Sequence, residues 1–307
     1  MIPFHFIVPA FLLVIAVEWA LSRKQQPETY NWKDLRTNIM VGIGGAVFSS
    51  LLKRAIEIWL FFGVFEACSS WRQHWLGYDS LGWAWWIWVL AILGDDFTFY
   101  WHHRFSHEIR ILWAAHVVHH SSRFFNYSTG LRNGWTALLY KHFWWVWMPA
   151  LGFEPAMVTA ALIINAIYQF SLHTKHIRRF WLPEAIFVSP MLHEVHHASN
   201  VRYLDKNYAG IFAFWDKLFG TFQKNESEKE AIVYGISDDL QNRNAVYLHL
   251  HEPFKIWLDL KRANSLGEAW RYVFGRPGWA PNGASRTSKA RQAALYEQNP
   301  APYDALP

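Results

Sequence analysis

The 307-residue chain is 52% hydrophobic and 18% aromatic, with 20 Trp, against 17% charged residues and a formal net charge of +5. That aromatic load exceeds soluble usage and points to a bilayer as solvent. The single cysteine, Cys68, excludes an intrachain disulfide and a cysteine-built metal site. The basic residues concentrate beside apolar runs, which fits anionic lipid headgroups and speaks against nucleic acid as a partner.

In chain order, residues 4–21, "FHFIVPAFLLVIAVEWAL", form the first expected span, just long enough for a hydrocarbon core of about 30 Å. They lack the basic leader and small-residue cleavage site of a signal peptide. Residues 39–65 give a second span, with Lys53 and Arg54 in its middle, where a charge costs at least ~2.5 kcal/mol. That segment reads as two half-length or interfacial helices, or as one whose cations face a polar cavity. Residues 81–101 make a third span, and 135–151 and 155–172 two more. The last two are joined only by Gly152, Phe153 and Glu154 ahead of Pro155, a connection short enough for an antiparallel helical hairpin.

Arg23, Lys24, Lys33 and Arg36 follow the first span, Arg104, Arg110, Arg123 and Arg132 the third, and Lys175, Arg178 and Arg179 the fifth. The loops on the other face, 66–80 and 152–154, contribute only Arg72. The positive-inside rule then puts the first set in the cytoplasm. The expected fold is all-α: a multi-pass membrane helical bundle with a cytosolic helical cap holding a histidine-ligated di-metal site. Residues 1–172 would form the membrane helices, 173–284 the cap and 285–307 a flexible tail. The expected location is a bacterial inner membrane or the endoplasmic reticulum, with the site on the cytoplasmic face.

Histidines carry the chemical signal. His116, His119 and His120 end "HVVHH", and His193, His196 and His197 repeat the spacing in "HEVHH". On a helix, residues three and four apart share a face, so each triplet is expected to face one metal. His103 and His107 add an i, i+4 pair, and His173 a ninth imidazole. His5, His74, His142, His249 and His251 read as interfacial or core residues. Nine imidazoles are too many for one ion and suit two with four or five ligands each, with Gln169, His102, His176 or water left open as a tenth ligand. Imidazole suits zinc, copper, iron and nickel; a structural zinc needs only four ligands. Two histidine-rich ions beside a bilayer fit iron and O2 acting on a lipid C–H bond, with zinc able to replace iron.

Asp96 lies seven residues before His103, close to two helical turns, and is expected either to orient a ligand imidazole or to pair with a nearby Arg at the membrane end of its helix. Asn126, Tyr127, Asp205, Lys206, Asn207 and Tyr208 either line the site or hold the cap together, and the structural role is the one expected.

The runs "DFTFYWHHR", "HRFSHE", "HVVHHSSRFFNYST", "QFSLHT", "HEVHHASNVRYLDKNYAG" and "WDKLFGTF" together resemble the fatty acid hydroxylase and sterol desaturase superfamily, most of all its alkylglycerol monooxygenase branch and bacterial relatives. The resemblance covers roughly residues 35–284. It implies a non-haem di-iron centre on His103, His107, His116, His119, His120, His173, His193, His196 and His197, with O2 as oxidant. It also implies an external reductant, tetrahydrobiopterin in the alkylglycerol branch and a cytochrome b5 or ferredoxin-type protein in others. Glu108 matches the acidic residue after the first histidine pair in the alkylglycerol branch. The implied reaction is hydroxylation of an alkylglycerol, fatty acyl lipid or sterol drawn from the membrane, with desaturation on the same centre as its competitor. A metal transporter would place ionisable ligands within the spans, and a non-catalytic lipid sensor would bind no metal.

Overall fold

A computed structural model describes residues 4–49, 58–237, 240, 242–281 and 283–298. Lys53 and Arg54 lie outside the described residues. The first main helices are α1 (Phe4–Gln25), α2 (Trp32–Phe48), α3 (Trp85–Glu108), α4 (Arg110–His120) and α5 (Pro155–Ser171). They are followed by α6 (Pro190–His196), α7 (Ala245–Arg262), α8 (Leu266–Phe274) and α9 (Ser288–Gln298). The described residues contain no strand, only the isolated bridges Phe187–Phe212 and Ala198–Tyr234. The fold is therefore all-α, as expected.

Local chemistry sets the helix starts. The side chains of Asn31, Ser189, Asn244 and Ser265 accept backbone N–H bonds at the heads of α2, α6, α7 and α8. Pro155 opens α5, where its missing N–H costs nothing. A single extended residue, Ile109 (φ −119°, ψ 119°), separates α3 from α4 and turns the chain so that the two pack together.

No helix among the described residues is long and apolar enough to cross a membrane. The reason lies in composition. α3 carries Asp95, Asp96, Arg104, Glu108 and its histidines, and α2 and α5 are short besides, at 17 residues each. The expected span at 135–151 is broken into 3-10 turns at Trp135–Leu139 and Lys141–Trp145 and one short α-helix at Trp147–Ala150. Its aromatic side chains dock into neighbouring elements. Trp135 stacks on His249 with ring centroids 4.0 Å apart and donates its indole N–H to the Val41 carbonyl at 2.9 Å. Within the segment expected to be a tail, α9 docks through Gln292, which donates to the carbonyls of Val201 and Leu204.

Two apolar clusters support the centre of the molecule. One gathers Tyr100, Leu172, Val188, Leu192 and Tyr208; the other packs Phe61, Trp145, Met148, Met157 and Val158 under α3. Buried polar ties add to them. Arg132 meets Asp34 at 3.0 Å and Asn38 Oδ1 at 2.6 Å, fixing the 126–132 segment to α2. Breaking one partner of so buried a pair costs about 3–5 kcal/mol, because the other charge is stranded.

Candidate metal centre

The nine histidines named from the sequence all meet in one place, in two groups. His103, His107, His116, His120 and His196 form one; His119, His173, His193 and His197 form the other. In each group the potential ligand atoms lie within 4.8 Å of one another. The groups adjoin: the His120 and His197 rings stack at 4.6 Å, and His193 and His196 at 5.4 Å.

This arrangement corrects the expectation that each H-x-x-H-H triplet faces one metal. The i and i+4 members stay together, His116 with His120 and His193 with His197, while His119 and His196 each point into the other group. Adjacent helical residues diverge by about 100°, so the last two histidines of a triplet cannot share a pocket when both pockets are small. Each triplet therefore ties the two groups together.

The residues fit metal binding. His103 and His196 donate Nδ1–H to the carbonyls of Tyr208 (2.8 Å) and Lys206 (2.9 Å), and His119 and His173 to those of Arg132 (3.0 Å) and Gln169 (2.7 Å). That leaves Nε2 as a lone-pair donor directed inward. Nε2 atoms then crowd together: 3.0 Å for His103–His116, 3.1 Å for His116–His120 and for His173–His193, 3.2 Å for His193–His197 and 3.3 Å for His119–His173, the last with both rings already donating through Nδ1 and so no proton between them. Nitrogens about 2.1 Å from a common ion stand roughly 3.0–3.4 Å apart in octahedral or tetrahedral sets, the same spacing. The buried Nε2 atoms of His107 and His196 have no partner at all. Burial pushes the His173 pKa down to about 4, and burial reinforced by neighbouring imidazoles pushes those of the others in its group well below the usual range. Neutral imidazoles are the form a metal requires.

One short segment orients much of the five-histidine group. Residues 205–208 supply the Asp205 carboxylate, 3.7 Å from His107 Nδ1, and the Lys206 and Tyr208 carbonyls described above. Asp205 and Asn207 hold left-handed backbone (φ 58° and 55°), a conformation that persists only when its surroundings enforce it. Asn207 does so by bonding the carbonyls of Leu192 and Gln223, and Asp216 by accepting from the N–H groups of Tyr208 and Ala209. The sequence assigned 205–208 to structure; its carbonyls are the orienting groups.

Asp96 takes neither of the two expected roles. It contacts no histidine; its carboxylate accepts from the backbone N–H groups of Ile211 (2.7 Å) and Phe212 (2.8 Å) and from Asn165 (3.3 Å). It anchors the strap whose Tyr208 carbonyl holds His103. Gly210 is required there, because a Cβ would stand 2.5 Å from Asp96 Oδ1. Glu108 also meets no histidine: it pairs with Arg104 and Arg276, each at 3.2 Å. Among the other candidates, Gln169 donates to the Gly210 carbonyl and His176 Nε2 lies 2.7 Å from Ser22 Oγ. His102 is buried beside Tyr140, Trp144 and Trp145, outside both groups. Glu18, read only as a charge near the end of a span, accepts from Tyr30, Thr174 and the Tyr127 N–H and so fixes the residue after His173. Nothing in its local sequence signals that long-range contact.

A chamber of about 740 Å³ opens beside the five-histidine group, where His107, His120 and His196 form part of its wall. The four-histidine group does not line it. Residues 88–221, which enclose all nine histidines, match the fatty acid hydroxylase family model. The chain is 35% identical over 277 residues to human alkylglycerol monooxygenase, covering 90% of this chain and 59% of that protein. It is 31% identical over 299 residues to the Xenopus tropicalis alkylglycerol monooxygenase (96% and 63%), and 32% identical over 143 residues to an ornithine lipid hydroxylase of Rhizobium tropici (44% and 41%). The chain thus spans about three fifths of the alkylglycerol relatives' length. No solved structure matches it.

Proposed function

We propose that the chain is an integral-membrane lipid hydroxylase whose histidine groups hold two irons, with zinc able to take their place. The observation that carries this reading is the sorting of nine imidazoles into adjoining groups of five and four, with Nε2 atoms at ligand spacing. The metal pair supplies activation of O2 against an unactivated C–H bond. The balanced change is RH + O2 + 2 electrons + 2 protons giving ROH + H2O. The electrons come from an external reductant, tetrahydrobiopterin or a cytochrome b5 or ferredoxin-type protein.

The chain's own residues keep this chemistry in place. The carbonyls of Arg132, Gln169, Lys206 and Tyr208 fix the ring tautomers, and Asp205 steadies His107. The chamber gives a reactant access to one group while the other stays enclosed. Asp96 and Glu108 act as positioning residues through the 208–212 strap and the Arg276 contact. The names of the relatives support a lipid substrate of alkylglycerol or related type. Exposed Trp59, Trp75, Trp85 and Trp86 and the one-sided distribution of Lys and Arg support residence in a membrane with the histidines on the cytoplasmic face.

Incubation of iron-loaded, reductant-supplied protein with an alkylglycerol, a fatty acyl lipid and a sterol under 18O2 tests the reaction. Label in an alcohol, or in the aldehyde released from an ether, supports hydroxylation. An unlabelled alkene replaces it with desaturation, and no O2-dependent product from any lipid overturns the enzyme reading.

A further inference from the structure

The helices α7 and α8 have two contrasting faces. Their inner faces converge on Arg110 of α4, which binds Glu252 (2.8 Å), Asp259 (2.7 Å) and the Tyr272 carbonyl (3.4 Å). Their outer faces therefore point away from a common support. On α7 that outer face exposes Val246, Leu250, Phe254 and Trp257, at helical spacing; on α8 it exposes Leu266, Trp270 and Phe274, four residues apart, with Leu266 91% exposed. So much contiguous apolar surface needs a partner.

The charges identify it. Lys255, Lys261, Arg262 and Arg271 are exposed on the same two helices, and Lys261 lies over the Trp257 ring at 3.6 Å. The carboxylates are occupied: Glu252 and Asp259 by Arg110, and Glu268 by the Asn264 amide at the head of α8. An apolar face with Trp, with Lys261 against one of its rings and further exposed cations on the same helices, is the pattern of a helix in the headgroup zone of an anionic bilayer.

We propose that α7 and α8 lie in the surface of a membrane containing anionic lipid, outer face inward to the acyl chains. This places in the bilayer interface a region expected from sequence to belong wholly to a cytosolic cap. On α7, Lys255, Asp259 and Arg262 line the chamber that His107, His120 and His196 also line. The helix that enters the lipid is thus also a chamber wall, and it opens the five-histidine group to molecules arriving from the membrane surface. The proposal rests on the membrane reading above and not on the presence of metal or turnover.

An environment-sensitive nitrobenzoxadiazole label on single cysteines decides it, in full-length Cys68→Ser protein reconstituted into phosphatidylcholine–phosphatidylglycerol vesicles. Phe254→Cys and Trp270→Cys replace exposed side chains, so folding is spared; Lys229→Cys serves as the exposed cap control. Labels at 254 and 270 are expected to be quenched by lipids spin-labelled near the headgroup and shielded from aqueous iodide, with the reverse at 229. The labels at 254 and 270 should also be quenched less in pure phosphatidylcholine. Iodide quenching at 254 and 270 overturns the proposal. Shielding from both quenchers overturns it too, by pointing to a protein partner such as a second copy of the chain. Equal lipid quenching in the two vesicle types overturns the assignment of anionic headgroups. Because label depth needs neither iron nor product, an inactive protein with lipid-quenched labels refutes the enzyme reading alone.

Discussion

The two histidine groups use the same donor atoms and differ in access. The four-histidine group is buried throughout, and its rings are set by carbonyls from the 126–132 segment and from the end of α5. The five-histidine group has two partly exposed members, takes its orientation from the 205–208 strap, and faces the chamber. The difference separates a site held by enclosure from one held by a strap and left open on one side. In the first, four ligands are the minimum for a closed tetrahedral sphere; in the second, a fifth gives redundancy.

The largest effect should therefore follow from removing a ligand where none is spare. His193→Ala should lower turnover more than about 100-fold, beyond what loss of a supporting contact costs, whereas His107→Ala should retain measurable activity with metal affinity weakened about 10–100-fold. Equal losses in steady-state assays would erase the distinction between the groups. Gly210→Ala tests the strap. Its Cβ meets Asp96 and Asn165, so overpacking should cost about 1–3 kcal/mol in thermal unfolding, and the five-histidine group should lose metal first.

Acidification of the metal-free protein sharpens the same contrast. Buried neutral histidines have folded pKa values below the unfolded value near 6.5, so the unfolded chain binds protons first and stability falls as pH drops through about 6.5. For His173 the loss continues towards its folded value of about 4. Bound metal should flatten this dependence above pH 5, measured by thermal melts with and without iron. The smallest effect is expected for Glu108→Gln, which loosens a partly exposed pairing with Arg104 and Arg276 worth under ~1 kcal/mol and leaves both metals bound. Loss of metal in this variant, read by elemental analysis, would give Glu108 a place in the site that its contacts do not.

The histidine cluster was legible because imidazoles at three- and four-residue spacing have few structural explanations, and all nine converge. The division of the triplets was not, because spacing places residues on a face but does not say how many pockets that face borders. Asp96 was read from helical distance to His103, whereas its carboxylate reaches two backbone N–H groups more than a hundred residues away. The same holds for Glu18: a buried carboxylate is claimed by whichever unpaired donors the fold brings near it. The 135–151 run shows the converse error. Apolar composition suggested a span, but its Trp residues find separate partners in α2, α3 and α7, and a regular helix would not let them do so.

The most direct test of two adjoining metal sites is the iron content per chain after anaerobic loading and removal of excess metal. The account predicts about two irons per chain in the unmodified protein, about one in His193→Ala and about two in His107→Ala. One iron per chain in the unmodified protein, or two retained in His193→Ala, would contradict it.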